Sequence, residues 1–161
     1  MGKEHDTKTN AMRLLDAAAL GYRTRFFETD GALSGVEMAR LLGLDQDSVF
    51  KTLVTQGKSG EHYVFMVPVA CELDLKKAAK ACGEKSVAMV RSRELLPLTG
   101  YVHGGCSPLG MRKPFPTFID ETAELYDEIT FSGGRIGCQI TMAPDDLMGL
   151  VPVTAADLVV V

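Results

Sequence analysis

One lysine stands in the middle of an otherwise apolar strand pattern, Val49-Phe50-Lys51-Thr52-Leu53-Val54. Strand side chains alternate between faces, so Lys51 shares a face with Val49 and Leu53, while Phe50, Thr52 and Val54 fill the other. Neither face reads as solvated, and the segment is predicted to be an inner strand. An ammonium placed there without a partner is costly or loses its proton. Lys51 therefore calls for an anion, a carbonyl or a polar cavity. The alternative is an edge strand in which Lys51 blocks edge-to-edge pairing or snorkels to water.

A chain of 161 residues fits one domain with a core that needs no covalent staples. No apolar run approaches the length needed to span a bilayer, and no membrane association is expected. The polar start Met1-Gly2-Lys3-Glu4-His5-Asp6 lacks a signal-peptide pattern, so the cytoplasm is the expected compartment. Cys71, Cys82, Cys106 and Cys138 are scattered without a CxxC pair, and His5, His62 and His103 show no metal-ligand spacing. Free thiols and no metal or other cofactor are expected. The formal net charge of −4 disfavours non-specific nucleic-acid binding through a global basic field, but leaves room for contacts with a nucleic-acid end.

Residues 1–9 read as a flexible lead. Helical spacing of Met12, Leu15 and Ala19 predicts a helix over 10–20 that stops at Gly21. A strand over 22–28 follows, then a helix from Ser34 to about Leu42 with a Ser34–Glu37 capping box. Strands over 48–55 and 62–69 are linked as a hairpin. Asp74 caps a helix closed by Gly83. A strand over 87–90 and a helical turn over 92–96 precede Pro97 and Gly100, which break the pattern. Strands are predicted over 117–120, 128–132 and 138–142, a helix over 144–150, and a last strand over 156–161. Strands and helices mix without βαβ regularity. The fold class expected is α+β: one compact domain with a mixed, mainly antiparallel sheet or barrel flanked by helices.

Two glycine-rich segments, Gly104-Gly105-Cys106-Ser107-Pro108-Leu109-Gly110 and Ser132-Gly133-Gly134-Arg135-Ile136-Gly137, read as loops. Either they are tight turns, or their backbone N–H groups approach a ligand. Neither matches a dinucleotide or P-loop fingerprint. Cys106 lies three residues from His103, but a local Cys/His pair is not a triad, and a structural thiol is the simpler reading. Asp120 and Glu121 suit a cap better than acid–base work. No built-in nucleophile or base stands out.

Four motifs occur in order: Phe50-Lys51-Thr52-Leu53, Glu72-Leu73-Asp74-Leu75-Lys76-Lys77, Thr99-Gly100-Tyr101-Val102-His103-Gly104-Gly105 with Ser107-Pro108-Leu109-Gly110, and Ser132-Gly133-Gly134-Arg135. Together, over residues 11–150, they closely resemble the YbaK/EbsC family of Cys-tRNA(Pro) deacylases, whose fold is shared with the editing insertion domain of prolyl-tRNA synthetases. The resemblance implies an editing domain over 10–161 that acts in trans on the aminoacyl 3′ end of tRNA, with prolyl-tRNA synthetase as a possible partner. It also implies that the cysteinyl thiol of the substrate attacks its own ester, which agrees with the missing nucleophile.

In that resemblance Lys51 aligns with the family's essential lysine and would hold the terminal adenosine. Thr52 sits beside it. Gly104 and Gly105 align with a pocket wall whose N–H groups could face the reacting carbonyl. Ser132, Gly133 and Gly134 match the opposing loop, and Arg135 would add a phosphate contact. Many relatives of this type carry a tyrosine near Phe27, a phenylalanine near Ser34 and an aspartate near Gln139. A glutamine carbonyl can still accept from the substrate's ammonium, less strongly than a carboxylate. An Ala-tRNA(Pro) deacylase and a non-catalytic aminoacyl-tRNA or synthetase-binding module are the alternatives.

Overall fold

The computed structural model describes residues 7–31 and 33–161. Two sheets organise them. A three-stranded antiparallel sheet has the order β1-β7-β6, formed by β1 (Arg23–Phe26), β6 (Ile129–Arg135) and β7 (Cys138–Met142). A five-stranded sheet has the order β4-β2-β3-β5-β8, from β2 (Phe50–Gly57), β3 (His62–Pro68), β4 (Val87–Met89), β5 (Thr117–Asp120) and β8 (Val153–Ala156). Its β4-β2-β3 part is antiparallel, and β5 and β8 join in parallel. A bridge between Val49 and Thr130 ties the two sheets together. The expected α+β domain with a mixed, mainly antiparallel sheet is what the chain forms.

The main core lies between the sheets. Phe50, Met66 and Ile119 of the large sheet meet Phe131, Ile140 and Met142 of the small one, closed by α1 (Asn10–Ala17) through Ala11, Met12 and Leu15, and by α5 (Pro144–Leu150) through Leu147. The far face of the large sheet packs Phe65 and Val67 against Ala78 and Ala79 of α3 (Leu75–Cys82). β3 thus alternates Val64 and Met66 with Phe65 and Val67, and all four are fully buried. That makes it the central strand, and each such side chain contributes about 1.5–3 kcal/mol by leaving water. In register, Lys51 faces Val67 and Leu53 faces Phe65.

Local signals set most element ends. Ser34 and Glu37 form the capping box of α2 (Gly35–Leu41). Asp74 accepts from the N–H groups of Lys76 and Lys77 at 2.9 and 3.1 Å, and Gly83 closes α3 in the left-handed region at φ 77°. Replacing such an N-cap by alanine costs about 1 kcal/mol.

Four expectations need correction. Pro97 does not break the chain; it lies inside α4 (Ser92–Thr99), within a helix that Gly100 ends. One turn beyond the helix start, the proline removes a single helical N–H, and packing of Leu95 in the core beside Tyr101 holds the helix. The segment 132–137 is not a loop. β6 runs through to Arg135 with a bulge, Ser132 pairing with Gln139 and Arg135 with Cys138, so only Ile136 and Gly137 turn. The last strand is Val153–Ala156, not 156–161; after it a bridge joins Val159 to Leu73. The first helix ends at Ala17, before Gly21, and Ala19 takes the positive φ of 57°.

Of the expected flexible lead, residues 1–6 lie outside the described residues. The rest is tied down: the Thr7 carbonyl accepts from Arg135, Lys8 pairs with Asp16, and Thr9 caps α1.

Ala19 generates a signed prediction. A left-handed L-residue costs about 1–2 kcal/mol, against about 0.4–1 kcal/mol of unfolded-chain entropy that glycine adds. Ala19→Gly should therefore raise the unfolding free energy by up to about 1.6 kcal/mol, read as a higher urea midpoint at unchanged slope. A lower midpoint would show that the strain is not there.

Candidate active site

β3 accompanies β2 along its whole length, from Phe50–Pro68 to Gln56–His62. β4 pairs only with Thr55–Gly57. The other edge of β2 is therefore uncovered by β4 at residues 50–54, and a cavity of about 240 Å³ borders Phe50, Lys51, Thr52 and Leu53 there. Because the cavity follows the edge of the strand, side chains of both faces reach it. This is how Lys51 and Thr52, opposed on the pleat, border one space.

The opposite wall is the β6–β7 hairpin, with Ser132, Ile136, Gly137 and Gln139. A third side is the segment after α4, with His103, Gly104 and Cys106, backed by Leu95. Phe27 and the entry to α2, Leu33 to Met38, complete it. The hairpin is held close by Gly137, at φ 86°. A Cβ there would sit 2.6 Å from the Phe27 carbonyl oxygen, which leaves room only for glycine.

Lys51, Thr52, Phe27, Gly104, Ser132 and Gln139 thus come together. Gly105, Gly133, Gly134 and Arg135 do not border this space. Gly105 instead lets the 103–106 segment press on the hairpin, since a Cβ would lie 2.9 Å from Arg135 Cα. Gly133 and Gly134 form the bulge: a Cβ on Gly133 would strike Cys138 Sγ at 2.5 Å, and one on Gly134 would sit 3.0 Å from Thr9 Cβ. Arg135 borders the neighbouring surface hollow with Glu28, Thr29 and Asp30. Sequence reasoning treated His103 only as half of a weak Cys/His pair. Its adjacency to Gly104 was the available signal.

Lys51 is half-buried and makes no ion pair or hydrogen bond through its side chain among the described residues. Thr52 Oγ1 is buried without a partner, an arrangement that costs about 1–3 kcal/mol until something pairs with it. Ser132 Oγ accepts from the Gly134 N–H at 3.2 Å. Gln139 is 6% exposed, and its amide has no hydrogen-bond partner among the described residues. Burial pushes the Cys106 thiol from 9.0 up to about 12. Cys138, beneath the hairpin, rises to about 11 for the same reason, offset in part by Arg135. The cavity therefore holds a cation, unpaired hydroxyl and amide groups, and a thiol held in its neutral form. No Asp or Glu among the described residues lines it. Among the described residues no cluster of His, Cys, Asp or Glu could hold a metal ion, and no helix is long and apolar enough to cross a membrane.

A family model for the aminoacyl-tRNA editing domain matches residues 29–150, which includes every wall of this cavity apart from Phe27. The chain belongs to the aminoacyl-tRNA editing family. A relative from Enterococcus faecalis, provisionally named Cys-tRNA(Pro)/Cys-tRNA(Cys) deacylase EbsC, is 42% identical over 149 residues, covering 92% of this chain and 91% of its own. A crystal structure of a candidate trans-editing enzyme for prolyl tRNA synthetase superposes with a TM-score of 0.82 at 27% identity, over 96% of this chain and 99% of the other. The hypothetical protein APE2540 shares the fold, with a TM-score of 0.86 at 22% identity over 94% and 100% of the two chains. In this editing domain burial holds the thiols of Cys106 and Cys138 in the neutral form, so neither gives a nucleophile at rest.

Two measurements follow from the thiols. Alkylation of the native protein near pH 8 should modify Cys71, which is partly exposed, well before Cys106 and Cys138, as peptide mass spectrometry would show. A folded-state pKa raised above the unfolded value contributes stability in full below pH 9, which is lost as pH rises through the folded value. Urea midpoints should thus fall as pH rises from about 9 towards about 12, less steeply in Cys106→Ala.

Proposed function

We propose that the chain is a trans-editing deacylase that releases cysteine from Cys-tRNA(Pro), with Cys-tRNA(Cys) as a second substrate. One observation carries the reading: a single cavity joins Lys51, Thr52, Gly104, Ser132 and Gln139 but, among the described residues, contains no carboxylate and no ionised thiol. Such a site can hold an ester and stabilise charge, but it supplies no attacking group. Cysteine brings its own. The name of the Enterococcus faecalis relative supports the same substrate.

In the proposed reaction the substrate sulfur bonds to the ester carbonyl carbon and gives up its proton. The tetrahedral oxyanion collapses, the bond to the ribose oxygen breaks, and that oxygen takes a proton. The products are tRNA and a cyclic thioester of cysteine, which water opens. Lys51 binds the phosphate or ribose of the terminal adenosine and fixes the ester. Its charge is then matched by the substrate. Thr52 Oγ1 gains a partner in the bound nucleotide or ester. The Gly104 N–H faces the reacting carbonyl, where donors placed for developing charge are worth several kcal/mol. Phe27 covers the amino acid, Ser132 flanks it, and the Gln139 carbonyl accepts from its α-ammonium. Gly105, Gly133 and Gly134 serve by setting the wall spacing, and Arg135 reaches a tRNA phosphate from the adjoining hollow. The role of the protein is orientation, for which effective molarities are large.

The reading implies residues 10–161 acting as one unit in the cytoplasm without a cofactor, with prolyl-tRNA synthetase supplying further tRNA contacts that a net-acidic chain lacks.

Labelled Cys-, Ala-, Ser- and Pro-tRNA(Pro) offered to purified protein test it. Only cysteine should be released. Release of alanine but not cysteine would make the chain an Ala-tRNA(Pro) deacylase, and binding without release would make it a recognition module. Release from Ser-tRNA(Pro) would point to attack by water. Lys51→Ala should lower kcat/KM by about 10²-fold or more with an unchanged circular dichroism spectrum.

A further inference from the structure

We infer that His103 is the proton carrier of this site: it accepts the proton of the substrate thiol and returns it to the departing ribose oxygen. The inference rests on the proposed deacylation, which requires both transfers. His103 borders the same cavity as Lys51 and Gly104, is solvent-exposed, and has no side-chain partner among the described residues. Its imidazole is therefore available to substrate.

The other bordering groups are unsuited to the task. Lys51 as an ammonium offers three donors and no acceptor, and the proposed reaction already assigns it to the terminal nucleotide. The Cys106 thiol is buried and holds its proton. The hydroxyls of Ser34 and Ser132 already accept backbone N–H groups, at 3.1 and 3.2 Å, and a neutral hydroxyl is a poor base. Thr52 and Gln139 have the same shortcoming. Imidazole is the side chain that can both take and give a proton near neutrality.

The charged and titratable groups of the elements packed about the 101–106 segment are Lys51, Cys106, Tyr101, Arg112 against Gly100, and Arg135 against Gly105. On α4, Arg93 and Glu94 border a separate groove, and Glu94 accepts from the Arg91 backbone N–H. Among the described residues no carboxylate borders the cavity to compete for the imidazole. In the balanced step, the sulfur proton moves to an imidazole nitrogen as the carbon–sulfur bond forms. It then moves to the ribose oxygen as the carbon–oxygen bond breaks, and imidazole is regenerated.

The test compares wild type, His103→Asn and His103→Gly on Cys-tRNA(Pro) over about pH 5.5–8.5 in single turnover. His103→Asn should lose about 10²-fold in the single-turnover rate with little change in half-saturation. The acid limb of the wild-type pH profile should be replaced by the steeper dependence of a reaction that needs preformed thiolate. Added imidazole should restore part of the His103→Gly rate in proportion to its concentration. Rates within twofold of wild type, or a loss that leaves the pH profile unchanged and is not rescued by imidazole, would overturn the role and leave His103 as a wall of the cavity. Failure of the substrate reading looks different: wild type itself would leave Cys-tRNA(Pro) intact, and both proposals would fall.

Discussion

The ladder between β2 and β3 is complete, whereas the ladder between β2 and β4 starts only at Thr55. The site depends on that mismatch in length. A β4 continued alongside residues 50–54 would cover that edge and close the cavity. Because it does not, Lys51 stands on a strand that is central by burial and open by edge. The buried β3, with Val64, Phe65, Met66 and Val67, holds the position of β2 rigidly. A lysine anchored on such a strand has little freedom to relocate, as a group that must meet a nucleotide requires.

Glycines bring the remaining walls to that edge. Gly105 rests on the Arg135 backbone, Gly137 on the Phe27 carbonyl, and Gly133 on Cys138. Each is a close approach that a methyl group would prevent. They act as spacers between three segments distant in sequence, and of the three only Gly137 borders the cavity itself. The same tight packing removes water from Cys106 and Cys138, which keeps both thiols neutral. One structural cause therefore gives both the shape of the pocket and its lack of a nucleophile.

Much of this was legible in the residues. Alternation around Lys51 identified an inner strand, and the capping box at Ser34 and the Asp74 and Gly83 signals set helix ends correctly. These are local features, and local chemistry decides them. What failed was decided at long range. The run 132–137 has loop composition, yet it is strand as far as Arg135, because β7 pairs beside it and the two extra glycines form a bulge packed against Cys138 and Thr9. Pro97 reads as a breaker, but Leu95 anchors its helix in a core contributed by Val54 and Tyr101. Ala19, not Gly21, carries the positive φ, for which no local signal existed. The convergence of Thr52 with Lys51 was hidden for a similar reason: pleat alternation sets them apart, and only the missing neighbour strand lets both reach one space.

Thr9 links two ends of the chain. Its hydroxyl accepts from the Met12 N–H to cap α1 and donates to the Gly133 carbonyl in the β6 bulge. The residues are 124 positions apart. During synthesis on a ribosome α1 is made before the bulge, so this bond can close only once β6 has left the exit tunnel. The apolar stripe of Ala11, Met12 and Leu15 shares its core with Phe50, Met66 and Leu109, which come earlier, and with Phe131, Ile140 and Leu147, which come later. At about 5–20 residues per second the interval between Thr9 and Gly133 is on the order of ten seconds. The seating of α1 is thus completed late, and the nascent chain keeps part of this core open until the hairpin is made.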